Sequence, residues 1–167
     1  MIASAPEFSI TRVFDVPRDL VRKAFTEAEP LTHWWGPKGF TTEIARLDLR
    51  PGGILHYNMR SPQGRDMWGR LVYREIVPPE RLVFVVSFTD AEGNVTRHPM
   101  SPTWPLEMLN TMTLSERDGK TTLTIHCIPI NATEEEAKTF ESERGGMRQG
   151  FTGTFDQLEA YLAKQQV

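Results

Sequence analysis

A chain of 167 residues with 39% apolar residues can bury roughly 70% of its unfolded surface in one core, and its one cysteine excludes an internal disulfide framework and fits a reducing compartment. A formal net charge of −3, from 19 Lys and Arg against 22 Asp and Glu, with the cations scattered, argues against nucleic acid as the main partner. No apolar run approaches the ~18 residues of a membrane span, and Met1–Pro6 lacks the basic and apolar stretches of a signal peptide, so the expectation is a single cytoplasmic domain over residues 1–167.

Glu7–Val16 has the β-branched and aromatic content of a strand, with Phe8, Ile10, Arg12 and Phe14 on one face by the two-residue period. Pro17 opens a helix, with Asp15 as a plausible cap, and Leu20, Val21, Ala24 and Phe25 share its apolar side. Ala28–Trp35 reads as a second short helix, stopped by Gly36-Pro37-Lys38-Gly39. Six strands follow: Phe40–Leu49, Ile54–Arg60, Asp66–Val77, Arg81–Thr89, Leu106–Glu116 and Thr121–Ile130. Turn residues such as Asp118-Gly119 separate most of them, so the pattern is an antiparallel meander. Val95–Pro105, with Pro99, Pro102 and Pro105, is the one long loop and the best candidate for a mobile lid. Thr133 and Glu136 form a capping box, and one long helix is expected from Thr133 to Lys164.

Alternation assigns the inward faces. They carry Leu55, Tyr57 and Met59; Leu82, Phe84, Val86 and Phe88; Met108, Asn110, Met112 and Leu114; and Leu123, Ile125 and Cys127. The long helix answers with Phe140, Met147, Phe151, Phe155, Leu158 and Leu162. Its N-terminal half also holds Gly145, Gly146, Gly150 and Gly153, each costing about 0.5–1 kcal/mol relative to alanine inside a helix. Glycines tolerated there imply close approach of a neighbour or space kept open. The expectation is an enclosed, mostly apolar pocket of several hundred Å³ between sheet and helix.

The candidate lining is Trp35, Tyr57, Met59, Trp68, Phe84, Trp104, Met108, Asn110, Met112, Met147 and Phe151. Methionine suits adaptable cavities, although it also fills ordinary cores. Of the adjacent Trp34 and Trp35, one is expected to plug the short helices against the sheet and the other to wall the pocket. Asn110 on an apolar face needs partners, structural or ligand-borne. Either Arg70 or Glu75 could supply a charge to the cavity, or both could be solvated outside. His33, His56, His98 and His126 stand at no metal-binding spacing, so neither metal nor cofactor is expected. Cys127 reads as an inert core thiol, and no residue is assigned a catalytic role.

The order strand, two helices, six strands, long helix resembles the helix-grip fold of the START-like, or SRPBCC, superfamily, an α+β class with about seven strands. Within it the chain is similar to the subfamily related to the C-terminal domain of the activator of the 90-kDa heat-shock chaperone ATPase. The matching segments are Arg12-Val13-Phe14-Asp15-Val16-Pro17; Trp34-Trp35-Gly36-Pro37; Arg50-Pro51-Gly52-Gly53; Gly69 ahead of Glu75-Ile76-Val77-Pro78-Pro79-Glu80-Arg81-Leu82; Gly119-Lys120-Thr121; and Gly150-Phe151 before Leu158 and Tyr161-Leu162. They span about residues 7–163; Phe151 stands where the subfamily usually has Trp. The resemblance implies binding of a small apolar or aromatic molecule, with a stress-related or secondary-metabolism role. Two alternatives stay open: a cyclase- or hydrolase-type enzyme, which needs a convergent acid–base pair, and a chaperone-interaction domain. The resemblance also leaves a homodimer open.

Overall fold

The computed structural model describes residues 6–165. The elements are β1 (Phe8–Phe14), α1 (Arg18–Thr26), α2 (Ala28–Trp34), β2 (Thr41–Leu47), β3 (Ile54–Arg60), β4 (Asp66–Val77), β5 (Arg81–Thr89), β6 (Met108–Arg117), β7 (Lys120–Pro129), α3 (Glu134–Ser142) and α4 (Arg144–Lys164). The seven strands form one antiparallel sheet in the order β1-β7-β6-β5-β4-β3-β2. This is the α+β helix-grip architecture.

The connection from β1 to β2 explains the curvature. These two strands are the opposite edges of the sheet, about 29 Å apart if six intervals of about 4.8 Å were laid flat. The nine and seven residues of α1 and α2 span only about 24 Å together. The sheet therefore curls, and the two helices cover its concave face. Bulges at Ile44/Arg46 in β2 and Tyr73/Glu75 in β4 add local bend and twist.

The core is the apolar filling of that arc. Val21, Leu31, Trp34, Leu55, Leu123, Phe140, Leu158 and Leu162 are all at most 1% exposed, and each such side chain contributes roughly 1.5–3 kcal/mol by its burial. Trp34 is the plug: its indole donates to the Ala24 carbonyl at 3.0 Å and its ring meets Phe25 at 4.6 Å. Trp35, half-buried, turns instead towards Tyr57, with ring centroids 5.7 Å apart.

The single C-terminal helix expected from Thr133 is two helices. Glu143 leaves the helical path at φ −97° and ψ 7°, and its N–H closes α3 on the Thr139 and Phe140 carbonyls. Two demands explain the break. Phe140 is held against Trp104 at 5.7 Å, whereas α4 must lie along β1, where Phe151 stacks on Phe8 and Phe155 meets Phe14 edge-on. Gly145 and Gly146 follow the break, where helix propensity is weakest.

Candidate functional site

Cross-strand register assembles the concave surface in rows. One row runs Phe8–Cys127–Asn110–Phe84–Tyr73. Beside it lies Met108–Val86–Leu71–Leu55, and next to that Phe88–Gly69–Tyr57 and then Met67–Met59. Gly69 is a true steric requirement: a Cβ there would stand 2.6 Å from the Tyr57 hydroxyl oxygen and 2.7 Å from its ring. The glycine is what lets the Tyr57 ring lie flat across β4. α4 makes its sheet contacts with β1 and otherwise packs on α1, α2 and α3, so a layer of side chains separates it from the central strands.

Polar groups on these middle rows are few and uncharged. Burial pushes the Tyr57 phenol up to about 12, offset in part by the Trp35 indole, and pushes the Tyr73 phenol up as well. The Cys127 thiol is raised to about 12 by the same desolvation, with Asn110 opposing it, so at neutral pH it is an un-ionised core thiol. Asn110 donates to the Met108 carbonyl at 3.3 Å. The Tyr73 hydroxyl and the Trp104 indole nitrogen are buried with no hydrogen-bond partner.

The proline-rich loop is tied to α3. Trp104 stacks on Phe140, Thr103 and Thr139 share a hydroxyl–hydroxyl bond of 2.8 Å, and Arg97 pairs with Glu136. His98 packs on Phe88 at 4.5 Å. Arg97 and the Thr133 backbone N–H hold the Glu136 carboxyl below its usual range. Loop and helix thus close one end of the arc together.

The family model described as "Activator of Hsp90 ATPase homolog 1-like protein" matches residues 15–163. The chain belongs to this family. Among solved structures, the Arthrobacter aurescens protein is 25% identical, with a TM-score of 0.81 over 96% of this chain and 87% of that one. Protein Ms6760 from Mycobacterium smegmatis is 24% identical at a TM-score of 0.75, covering 92% and 88%. DynU16, a putative protein in the dynemicin biosynthetic locus, shares the fold at 19% identity and a TM-score of 0.64, over 94% of this chain but 47% of that one. No curated protein matches the chain.

Against the family's helix-grip frame, ten of the eleven expected lining residues need no change of face. Tyr57, Met59, Phe84, Asn110 and Met112 sit on the concave strand rows and Trp104 joins the same core, all buried; Trp35, Met108, Met147 and Phe151 pack on that core half-buried. Trp68 does not join them. It pairs with Asn58 and Thr89 on the convex face and stacks on His56 at 4.9 Å. Its parity is that of Arg70, which donates to the Gly93 carbonyl on the same outer side. The concave set of β4 is Met67, Gly69, Leu71 and Tyr73. Met67 and Tyr73 are the residues that sequence reasoning missed, and the alternation of Leu71 and Tyr73 with Arg70 and Arg74 was the signal for them.

The two best-defined concavities among the described residues are not the expected enclosed pocket. A cleft of about 660 Å³ opens outside the arc, between Glu7, His126 and α3 residues such as Lys138 and Glu141, and a pocket of about 30 Å³ lies between α1 and the concave side chains Leu82, Met112 and Leu114. The four helix glycines also part company: Gly145, Gly146 and Gly150 are exposed, and an added Cβ at Gly145, Gly150 or Gly153 would meet nothing within 4 Å. Of the two reasons expected for them, close approach is excluded and open space beside the helix stands. Gly150 lies one turn before Thr154 and Gly153 one turn before Gln157, and both of these side chains donate to the Gly36 carbonyl, at 3.1 and 2.8 Å. Among the described residues, no group of three His, Cys, Asp or Glu is placed to hold a metal ion, and no helix is long and apolar enough to cross a membrane.

Proposed function

We propose that this family member binds a small apolar or aromatic molecule against the concave face, between the central strands and the N-terminal half of α4. The observation that carries the reading is a convergence of soft side chains. Met59, Met67, Met108, Met112 and Met147, five of the seven methionines in the chain, pack on or into this one core. Unbranched thioethers repack at low cost, so an interior of this composition yields space to an apolar guest more readily than one of branched side chains. Trp35, Met108, Met147 and Phe151 keep part of their surface open, offering an apolar rim for entry beside Gly150.

An enzymatic reading has less support, because the middle rows bring no acid–base pair together. His56 and His126 lie on the convex side, as their pairing with Arg70 and Thr111 requires. The family description keeps contact with the 90-kDa heat-shock chaperone as a second reading, which stimulation of that chaperone's ATPase by the purified chain would favour. The deciding experiment for ligand carriage is native mass spectrometry of protein purified from its own host. A co-purified small molecule, lost from a Met108→Trp/Met147→Trp variant that remains folded, is the expected result. Ligand-free protein that also fails to bind apolar aromatic probes would remove the proposal.

A further inference from the structure

We propose that the small pocket beside α1 is a docking socket for an acidic segment of another protein, seating one aliphatic side chain flanked by carboxylates. This does not rest on the binding reading above. The socket follows from how α1 sits. That nine-residue helix makes its sheet contacts with β6 and β7, so the end of β4 has no helix packed over it. Register places Ile76 opposite Leu82 and Leu82 opposite Met112, and this row forms the floor. Arg22 on α1 stands on one side of the opening, and Leu49, Val77 and Arg81 stand on the other. The turn that carries Val77 and Arg81 is pinned, because the Leu114 N–H donates to the Glu80 carbonyl at 2.7 Å. The rim is therefore preformed.

Size decides what enters. The space is about 30 Å³, whereas a site that encloses a whole small molecule has several hundred Å³. It holds about two or three methyl-sized groups, the end of one aliphatic side chain. The surroundings are apolar as well. Among the described residues four large apolar side chains are exposed, Val13, Leu49, Val77 and Met100, and two of the four line this one pocket. Exposed apolar groups gathered together mark a contact surface, and an anchor side chain seated in a pocket is the energetic centre of many such contacts. Charge fixes the flanks. The charged residues lining the socket are Arg22 and Arg81, and among the described residues no carboxylate lines it. Each guanidinium has one carboxylate partner outside the lining. One Asp19 oxygen accepts from Arg22 at 2.8 and 3.2 Å, and a Glu75 oxygen lies 3.1 Å from Arg81 Nε. A guanidinium carries five N–H donors, so both keep donors for an incoming carboxylate, which such a group can meet bidentately. An acidic segment is complementary to this rim, and a basic one is repelled by it.

Amide NMR titration of the full chain tests this, because it reads weak binding and its location together. The probe is the acetylated and amidated peptide Asp-Glu-Leu-Glu-Asp. It should shift amides of residues 22–26, 49 and 76–82 while leaving residues 147–151 unmoved. Replacing its leucine by serine, or its four acids by lysine, should weaken binding by about tenfold, the scale of losing one anchor, and added salt should weaken the acidic probe as well. Val77→Ser should weaken the acidic probe by about tenfold, and Arg81→Glu should abolish the preference for acids over lysines. Both positions are exposed, so the remaining amide spectrum should stay that of the parent. Absence of shifts with the acidic probe, equal binding of the serine or lysine version, shifts centred on residues 147–151, or unchanged binding by both variants overturns the proposal. Isovalerate carries the same anchor and a carboxylate and should bind at least about tenfold more weakly than the peptide. Equal affinity overturns the proposal by making the occupant a small molecule.

Discussion

Gly150 is a position at which stability and binding should separate. It sits inside a 21-residue helix, with no atom within 4 Å of where a Cβ would stand. Alanine there meets no steric cost and gains helix propensity of about 0.5–1 kcal/mol. For a chain of this size each kcal/mol moves the melting temperature by roughly 2–4 °C, so Gly150→Ala should raise it by about 1–4 °C. Leucine has nearly the same propensity and should gain a similar amount. Its side chain, one turn before Thr154 and the Gly36 carbonyl, would extend over the proposed entrance between α4 and the Gly36 turn. Gly150→Leu should therefore weaken binding of an apolar aromatic probe by about tenfold or more while melting higher than the parent. Thermal melts followed by circular dichroism, paired with fluorescence titration, read both quantities. A Gly150→Ala variant that melts lower would refute the steric reasoning. A Gly150→Leu variant that is stabilised and still binds normally would refute the location of the entrance.

Trp34→Ala should cost about 3–5 kcal/mol, because the ring is 1% exposed and its indole is bonded to the Ala24 carbonyl. Trp35→Ala should cost much less stability and most of the probe affinity, so denaturant unfolding and titration of the two variants should rank oppositely. Gly69→Ala would drive a Cβ to 2.6 Å from the Tyr57 hydroxyl oxygen and should destabilise by roughly 1–3 kcal/mol as an overpacking change; combining it with Tyr57→Leu should recover part of the loss in the same melts. The Glu136 carboxyl is held below its ordinary range by Arg97 and the Thr133 N–H. Its contribution is therefore present above the ordinary carboxylate pKa and is lost as pH falls through the lowered folded value. Near-UV circular dichroism of Trp104 should report release of the loop in acid, with the midpoint shifted to higher pH in Arg97→Gln.

The fold was legible because its signals were local and redundant. Four of the strands alternated cleanly enough that Tyr57, Phe84, Asn110 and Cys127 all fell on the observed concave face. The capping box at Thr133 and Glu136 is present with both reciprocal bonds. Trp68 was misplaced because a large aromatic outweighed parity: on the convex side it is covered by His56 rather than by the core, and only the charges of Arg70 and Arg74 mark that face as the outer one. The break at Glu143 was hidden for a different reason. Gly145 and Gly146 mark a weak point but do not by themselves end a helix, and it is the tertiary demand of the Trp104–Phe140 stack that turns the chain. Pocket volume was not legible at all. It depends on how five flexible methionines pack, and alternation carries no information about that.

Glu136 has one further consequence. One of its carboxylate oxygens accepts from the Thr133 N–H and so starts α3, while the other meets Arg97 of the proline-rich loop. Winding the first turn of α3 and seating the loop therefore draw on a single ionised group, with Trp104–Phe140 and Thr103–Thr139 fastening the same two segments further along. Neither segment can come loose without weakening the other. Amide hydrogens of residues 97–104 and 134–140 should consequently exchange with one shared opening free energy, so that the end of the arc behaves as one hinged flap pivoting at Glu143 rather than as a loop and a helix that breathe separately.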